Sequence, residues 1–325
     1  PETVIAMLAT TSIGAVWSSC SPDFGIKGVL DRFSQIRPKL IIGTDGYFYK
    51  GKKINCLNKL NKIKDSLPSI ENVIVINYIS SLDSTWSEMF NNNAKEIDFE
   101  QLDFNHPLYI MYSSGTTGKP KSIVHSAGGT LIQHCKEHLF HNNLKQKDKI
   151  FYFTTCGWMM WNWLVSSLCI GSSIVLYDGN PFYPKKDSLL KIMNDIDVNV
   201  FGTSAKYIAT LDSLKINPKK FDFKSLNSIL STGSVLTPDS FEYVYKNWKK
   251  NVRLSSISGG TDIISCFALG NPILPVYKQE LQCIGLGMSV KSFDSNMAYD
   301  LNRKGELVCD LPFPSMPIGF WNDLK

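Results

Sequence analysis

The chain has 325 residues, enough for a large core and for two or more domains. With 43% hydrophobic and 19% charged residues it is not a disordered chain, and its net charge of 34 − 29 = +5 is only a mild excess. Part of that excess lies at Lys50, Lys52, Lys53, Lys59, Lys62 and Lys64; no aromatic stacking pattern accompanies them, so they read as a solvated helix face and not as a nucleic-acid surface.

The opening PETVIAMLATTSIGAVW lacks an initiator Met and a basic n-region, so it is no signal peptide and reads as the middle of a helix, with further sequence upstream. A helix is predicted over Ile26–Ile36, then strands at Lys39–Gly43, Asn72–Ile76, Leu108–Ser113 and Ser122–His125. The next helix, Gly129–Phe140, and its end place His134, His138 and His141 at i, i+4 and i+7. The run reads HCKEH and not H-E-x-x-H, so a polar helix face is expected and zinc is not. Ile150–Tyr177 carries no charge, but Asn162, Ser166, Ser167, Gly171, Ser172 and Ser173 interrupt it. It therefore reads as the strand Ile150–Thr155, a buried helix Met159–Leu168 and a strand at Ile174–Tyr177, not as a membrane span. Helices Asp187–Asn194, Ala205–Ser213 and Pro238–Trp248 then alternate with strands Val198–Thr203, Ser228–Thr232 and Val252–Ile257. This alternation predicts an α/β fold of layered, mostly parallel sheets flanked by helices. After about Gly270 the helical periodicity stops, prolines and glycines multiply, and Gln282–Ser289 and Gly305–Asp310 read as strands of a short antiparallel β unit. The expected division is therefore 1–270 and 271–325. The eight cysteines contain no C-x-x-C pair, which predicts reduced thiols in a cytoplasmic protein and neither a disulfide framework nor a zinc site.

One stretch carries chemistry on its face. YSSGTTGKPKSIVH (Tyr112–His125) puts Ser113, Ser114, Gly115, Thr116, Thr117, Gly118, Lys119, Pro120 and Lys121 between two strands. Glycines let backbone N–H groups approach an anion, the hydroxyls add donors, and lysine adds point charge. A polyphosphate suits such a loop. The Walker A pattern does not fit, because the spacing from Gly115 fails and Pro120 follows the lysine.

SSGTTGKPK resembles the signature loop of the adenylate-forming acyl-CoA synthetases. WSSCSPDFG (Trp17–Gly25), TTCGWMMWNWLV (Thr154–Val165), LYDGNPF (Leu176–Phe182), SGGTD (Ser258–Asp262) and PFPSMPIGFW (Pro312–Trp321) are similar to the acetoacetyl-CoA synthetase branch of that superfamily. The resemblance runs nearly end to end and covers the middle half of such proteins. It implies an adenylate-forming (AMP-binding) domain that joins acetoacetate to coenzyme A through an acyl-adenylate. ATP and Mg²⁺ would be consumed or used, AMP and pyrophosphate released, and only small-molecule partners required, with no nucleic acid and no membrane.

By the same resemblance Ser114 to Lys121, with Ser113 at the start of the loop, would grip the β- and γ-phosphates. Thr261, with Ser258, Gly259 and Gly260 before it, would meet the α-phosphate. Asp262 stands where the family usually has a Glu that holds Mg²⁺; it is a hard oxygen ligand one methylene shorter. Gly233, Ser234 and Val235 match the stretch that meets adenine. Trp158 and Met159 resemble a wall of the acyl pocket. Gly259 stands two before the motif Thr, where acetyl-CoA synthetases have a pocket-closing Trp, so a larger acid is expected here. A donor to the β-keto group could come from Asn162 or from an indole N–H. A Thr-Gly-Asp motif, a hinge and a small lysine-bearing C-terminal domain, all expected of the family, do not appear in the sequence. Three rival readings remain: a ligase for another short acid, a catalytically incomplete nucleotide-binding fragment, and a phosphotransferase releasing ADP.

Overall fold

A computed structural model describes residues 1–80, 85–90, 93–113, 118–299 and 303–323. The chain begins with α1 (Glu2–Ser12) and α2 (Ile26–Ile36), followed by β1 (Leu40–Thr44), the hairpin β2 (Gly46–Tyr49) and β3 (Lys52–Asn55), α3 (Leu57–Ser66), β4 (Asn72–Ile76) and the short α4 (Thr85–Glu88). Then come β5 (Pro107–Tyr112), β6 (Ser122–Ser126) and α5 (Ala127–Lys136), which runs on into a π-helical turn at Glu137–His141. The central part holds β7 (Lys149–Tyr152), α6 (Met159–Ser166), β8 (Ser173–Val175), α7 (Ser188–Asp195), β9 (Val200–Ser204), α8 (Ala205–Ser213), β10 (Ser228–Thr232), α9 (Pro238–Tyr243) and β11 (Arg253–Ser256). The last part holds β12 (Ser258–Gly260), β13 (Ser265–Leu269), β14 (Cys283–Ile284), β15 (Val290–Phe293), β16 (Glu306–Cys309) and β17 (Gly319–Phe320).

The expected parallel layer is the five-stranded sheet β11-β10-β9-β7-β8. Ile150 pairs with Val200, Val200 with Ser228 and Ser228 with Arg253, all in parallel register. Its strands read as continuous apolar runs because both faces are covered. Phe151, Phe201, Ile229 and Leu254 point to one face and pack with Leu190, Ile208 and Phe241 from α7, α8 and α9. Ile150, Tyr152, Val200 and Leu230 point to the other and pack with Met159, Trp163 and Leu164 of α6. Each such fully buried side chain contributes about 1.5–3 kcal/mol. Helix starts are set locally: the Ser204 hydroxyl accepts from the Tyr207 N–H, and the Thr237 hydroxyl accepts from the Ser240 N–H with Pro238 at the first helical position.

Antiparallel pairing begins earlier in the chain than the sequence suggested. The strands on either side of the Ser/Thr/Gly loop form an antiparallel pair, β5 with β6, and β17 adds to β6 with Gly319 opposite Val124. The β12-β13-β14 sheet is also antiparallel, so its hydrogen bonds cross position 270. β15 pairs with β16, as expected of the β unit.

Two polar stripes sit differently from their sequence reading. Lys52 and Lys53 lie on β3, and Lys59, Lys62 and Lys64 on α3, so the basic run is a hairpin followed by a helix and not one helix face. His134, His138 and His141 are each at most 1% exposed: the helix face is polar, but it faces inward. Among the described residues no group of three or more His, Cys, Asp or Glu side chains could hold a metal ion, and no helix is long and apolar enough to cross a membrane.

Candidate active site

Three chain segments that leave the carboxyl ends of β7, β10 and β11 converge on the side where parallel α/β sheets present their ligands. The first is the start of α6. Trp158 sits just before it, its ring 6.0 Å from that of Tyr152 in an edge-to-face pair. Tyr152 in turn lies over Gly202, where a β-carbon would be 2.1 Å from its Cδ2. The second is the turn after β10. Gly233 has φ +86°, a left-handed conformation that glycine adopts without strain, and it passes over the Trp158 ring. The third is the β12–β13 hairpin, which carries Thr261 and Asp262 in its turn.

Together these segments enclose a cavity of about 100 Å³ lined by Trp158, Met159, Met160, Thr232, Gly233, Gly259, Gly260, Thr261, Ser265 and Cys266. That is well below the roughly 300–1,000 Å³ of sites for drug-sized ligands. Six residues singled out in the sequence thus meet in one place: Trp158, Met159, Gly233, Gly259, Gly260 and Thr261. Ser234, Val235, Ser258 and Asp262 lie beside the cavity in the chain but do not line it. Val235 is 83% exposed, an apolar side chain left uncovered next to Gly233. Asp262 is exposed and its Oδ2 lies over Gly260. Asn162 is fully buried on α6, outside the cavity lining, and its amide has no hydrogen-bond partner among the described residues.

The Ser/Thr/Gly loop is seen only at its neck. Ser114, Gly115, Thr116 and Thr117 lie outside the described residues. The Ser113 N–H donates to the Lys121 carbonyl at 3.2 Å, and the Lys121 N–H donates to the Ser113 hydroxyl at 3.2 Å, which closes the loop. Gln35 of α2 donates to the Pro120 carbonyl at 2.8 Å, tying the neck to the body. Gly118 and Lys119 are exposed, with nothing within 4 Å of where a Gly118 β-carbon would be. Lys121 reaches over the Phe320 ring at 5.3 Å.

Gly259, a cavity-lining residue, also meets a constraint that the sequence did not show. A β-carbon there would lie 2.1 Å from the Ser265 carbonyl oxygen and 2.7 Å from the Cys266 Cα. Its missing side chain makes room for the partner strand, so the residue is needed for the hairpin whatever the acid.

The sequence reading did not single out Met160, Thr232, Ser265 and Cys266 as part of this site. Ser265 and Cys266 sit on the return strand of a hairpin whose turn alone was recognised. His125 was also missed. It follows the loop on β6 and is 1% exposed, with the Thr261 main chain beside its ring. Burial pushes its pKa down to about 4, opposed by the adjacent Thr261 main chain. It is a neutral imidazole beside the Thr261 backbone.

Residues 1–310 match the AMP-binding enzyme family, and the chain belongs to that family. Within it, the chain is 50% identical to the acetoacetyl-CoA synthetase of Gallus gallus and 49% identical to the acetoacetyl-coenzyme A synthetase of Rhizobium meliloti. Those alignments cover 98% and 99% of this chain and 50% and 51% of the relatives. It also superposes on the structure of acetoacetyl-CoA synthetase from Streptomyces lividans with a TM-score of 0.95 at 41% identity, over 100% of this chain and 51% of that one. The chain therefore spans about half the length of the relatives it matches.

Proposed function

We propose that this chain carries the adenylation centre of an acetoacetate–coenzyme A ligase. The observation that carries the reading is the cavity itself: the acyl wall at Trp158 and Met159 and the phosphate-contact residue Thr261 open onto one small space. In this reading the acid lies between Trp158, Met159 and the β12–β13 hairpin. The nucleotide lies across Gly233, Ser234 and Val235, with the exposed Val235 side chain under adenine. The loop 113–121, with Lys119 and Lys121, holds the β- and γ-phosphates.

The acid's carboxylate attacks the α-phosphate, an acyl-adenylate forms, and pyrophosphate leaves; the coenzyme A thiol then displaces AMP. No protein nucleophile is needed. What the chain supplies is position and charge stabilisation where negative charge spreads over the α-phosphate, through donors such as the Thr261 hydroxyl. Asp262 would hold Mg²⁺ together with the phosphates; Mg²⁺ takes one or two carboxylates plus substrate oxygens, and a single exposed Asp fits that donor set. When bound, the ion neutralises charge on the phosphate oxygens.

A division at about residue 270, with 271–325 opening a β subdomain, belongs to the same proposal. So does a cytoplasmic setting, supported by a cysteine pattern that contains no C-x-x-C pair.

The test is acetoacetate-dependent ATP–pyrophosphate exchange by the full-length protein, alongside acetate, propionate and a branched acid. Exchange with acetoacetate far above acetate is expected, with AMP and not ADP as the product. Faster exchange with another acid would replace the substrate, and ADP formation would refute the ligase.

A further inference from the structure

The helical run α5 and the π turn after it press an inward polar stripe against the back of the β12–β13 hairpin. Glu137 is fully buried. Its Oε1 accepts from the Ser265 hydroxyl, from Gln133 Nε2 at 3.1 Å and from the Cys266 N–H at 3.3 Å, while its Oε2 accepts from Trp163 Nε1 at 2.8 Å. The nearest cation is Lys136, 3.9 Å away. One turn earlier, His134 Nε2 donates to the Ile264 carbonyl at 2.6 Å, and its Nδ1 accepts from the Ser166 hydroxyl at 2.9 Å. One turn later, His141 Nδ1 donates to the Gly270 carbonyl at 2.8 Å and Nε2 accepts from the Leu286 N–H at 3.0 Å. Burial holds both histidines below their ordinary pKa, which keeps these neutral tautomers.

The stripe divides by where it grips. His134 and Glu137 hold Ile264, Ser265 and Cys266, which follow Thr261 and Asp262 after one intervening residue, and two of which line the cavity. His141 holds the far end of β13. A buried carboxylate with four donors is costly unless every donor stays in place, so it fixes the geometry of the strand it binds. The π turn at Glu137–His141 shifts the helix register at this place, and such turns recur at functional sites.

We infer that Glu137, seconded by His134, is a positioning residue for the adenylation centre: it sets the hairpin that presents Thr261 and Asp262 and the floor of the acid cavity. The inference rests on the adenylation reading for its kinetic consequence, but not for its structural one. The informative substitution is Glu137→Gln, which keeps size and shape. An amide has one acceptor oxygen, so if it faces Ser265 and Cys266 its NH₂ meets the Trp163 N–H, and in the reverse orientation its NH₂ meets the Cys266 N–H.

The full-length protein is compared with Glu137→Gln and with His141→Leu, whose hydrogen bonds lie away from the turn. In pyrophosphate exchange with the acid the wild type prefers, Glu137→Gln should lower kcat per folded molecule by about 10- to 100-fold. The KM for the acid and that for ATP should both rise, since the hairpin carries Thr261 and Asp262 as well as Ser265 and Cys266. His141→Leu should lose stability and keep kcat. Hydrogen exchange of the peptide spanning residues 259–266 is read in the same variants and should speed up in Glu137→Gln and not in His141→Leu. Faster exchange with unchanged kcat and KM would reduce Glu137 to a structural residue and overturn the proposal. Unchanged exchange rates would overturn it outright. If the wild type activates no acid, the ligase reading fails, and the clamp is judged by the hydrogen-exchange comparison alone.

Discussion

Replacing Gly259 by alanine adds one methyl group, far too little to plug a cavity of about 100 Å³. Yet the structure makes this a severe change. The new β-carbon would stand 2.1 Å from the Ser265 carbonyl oxygen, 2.7 Å from the Cys266 Cα and 3.0 Å from the Ser265 carbonyl carbon. All three are backbone atoms, so no side-chain rotation relieves them. The strands must part by about 1 Å, at a point where their register already shifts between Ser258 and Gly259. Forcing extra atoms into packed structure costs about 1–3 kcal/mol, and displacing Ser265 from Glu137 puts this site at the upper end. A hairpin moved by 1 Å also displaces Thr261, and in the proposed adenylation centre such a misplacement is worth on the order of 100-fold in rate. Thermal unfolding and pyrophosphate exchange on Gly259→Ala should show both losses, equally for every acid. Gly259→Trp should behave the same way and should not switch preference to acetate. An alanine variant as stable and as fast as wild type would refute the backbone argument. A tryptophan variant that selectively gains acetate would show that the hairpin re-forms and that the position acts through volume after all.

Acid should destabilise the fold before its carboxylates titrate. Burial pushes His125 to about 4 and His138 to about 3, against 6.5 when exposed, so the unfolded chain binds the extra protons. Their contribution is complete above pH 6.5 and is lost as the pH falls toward 4; at pH 5 each has given up about 2 kcal/mol, and a urea midpoint at pH 5 no lower than at pH 7 would refute this. With loop 113–121 holding the β- and γ-phosphates as proposed, Lys121→Met should raise the KM for ATP about tenfold and leave that for the acid alone; an unchanged ATP KM would remove Lys121 from the site. Asp45, 2% exposed, accepts from the Tyr78, Ile79 and Ser80 N–H groups at 2.8, 3.0 and 3.0 Å. Asp45→Ala should cost about 3 kcal/mol by stranding those donors, and a denaturation midpoint matching wild type would count against it.

The sequence by itself determined the layer and its alternation. Strands such as Ser228–Thr232 and helices such as Ala205–Ser213 are local events: a run of apolar residues long enough for one strand, or a 3.6-residue period with a Ser cap, is written in neighbouring positions. Motifs of contiguous residues were legible for the same reason, and SSGTTGKPK and SGGTD pointed to the chemistry before any fold was known. What only the tertiary structure decided were relations between distant residues. The pairing of β17 with β6 sets Gly319 opposite Val124 from far along the chain, which no local period records. The inward turn of His134, Glu137 and His141 depends on Ile264, Ser265 and Gly270, 128 to 130 residues away. Gly259 is the sharpest case. In the sequence its absent side chain reads as space for a substrate. In the fold a β-carbon there would meet the Ser265 and Cys266 backbone, because the β12–β13 pairing shifts register between Ser258 and Gly259 and brings the opposite main chain unusually close at this one position.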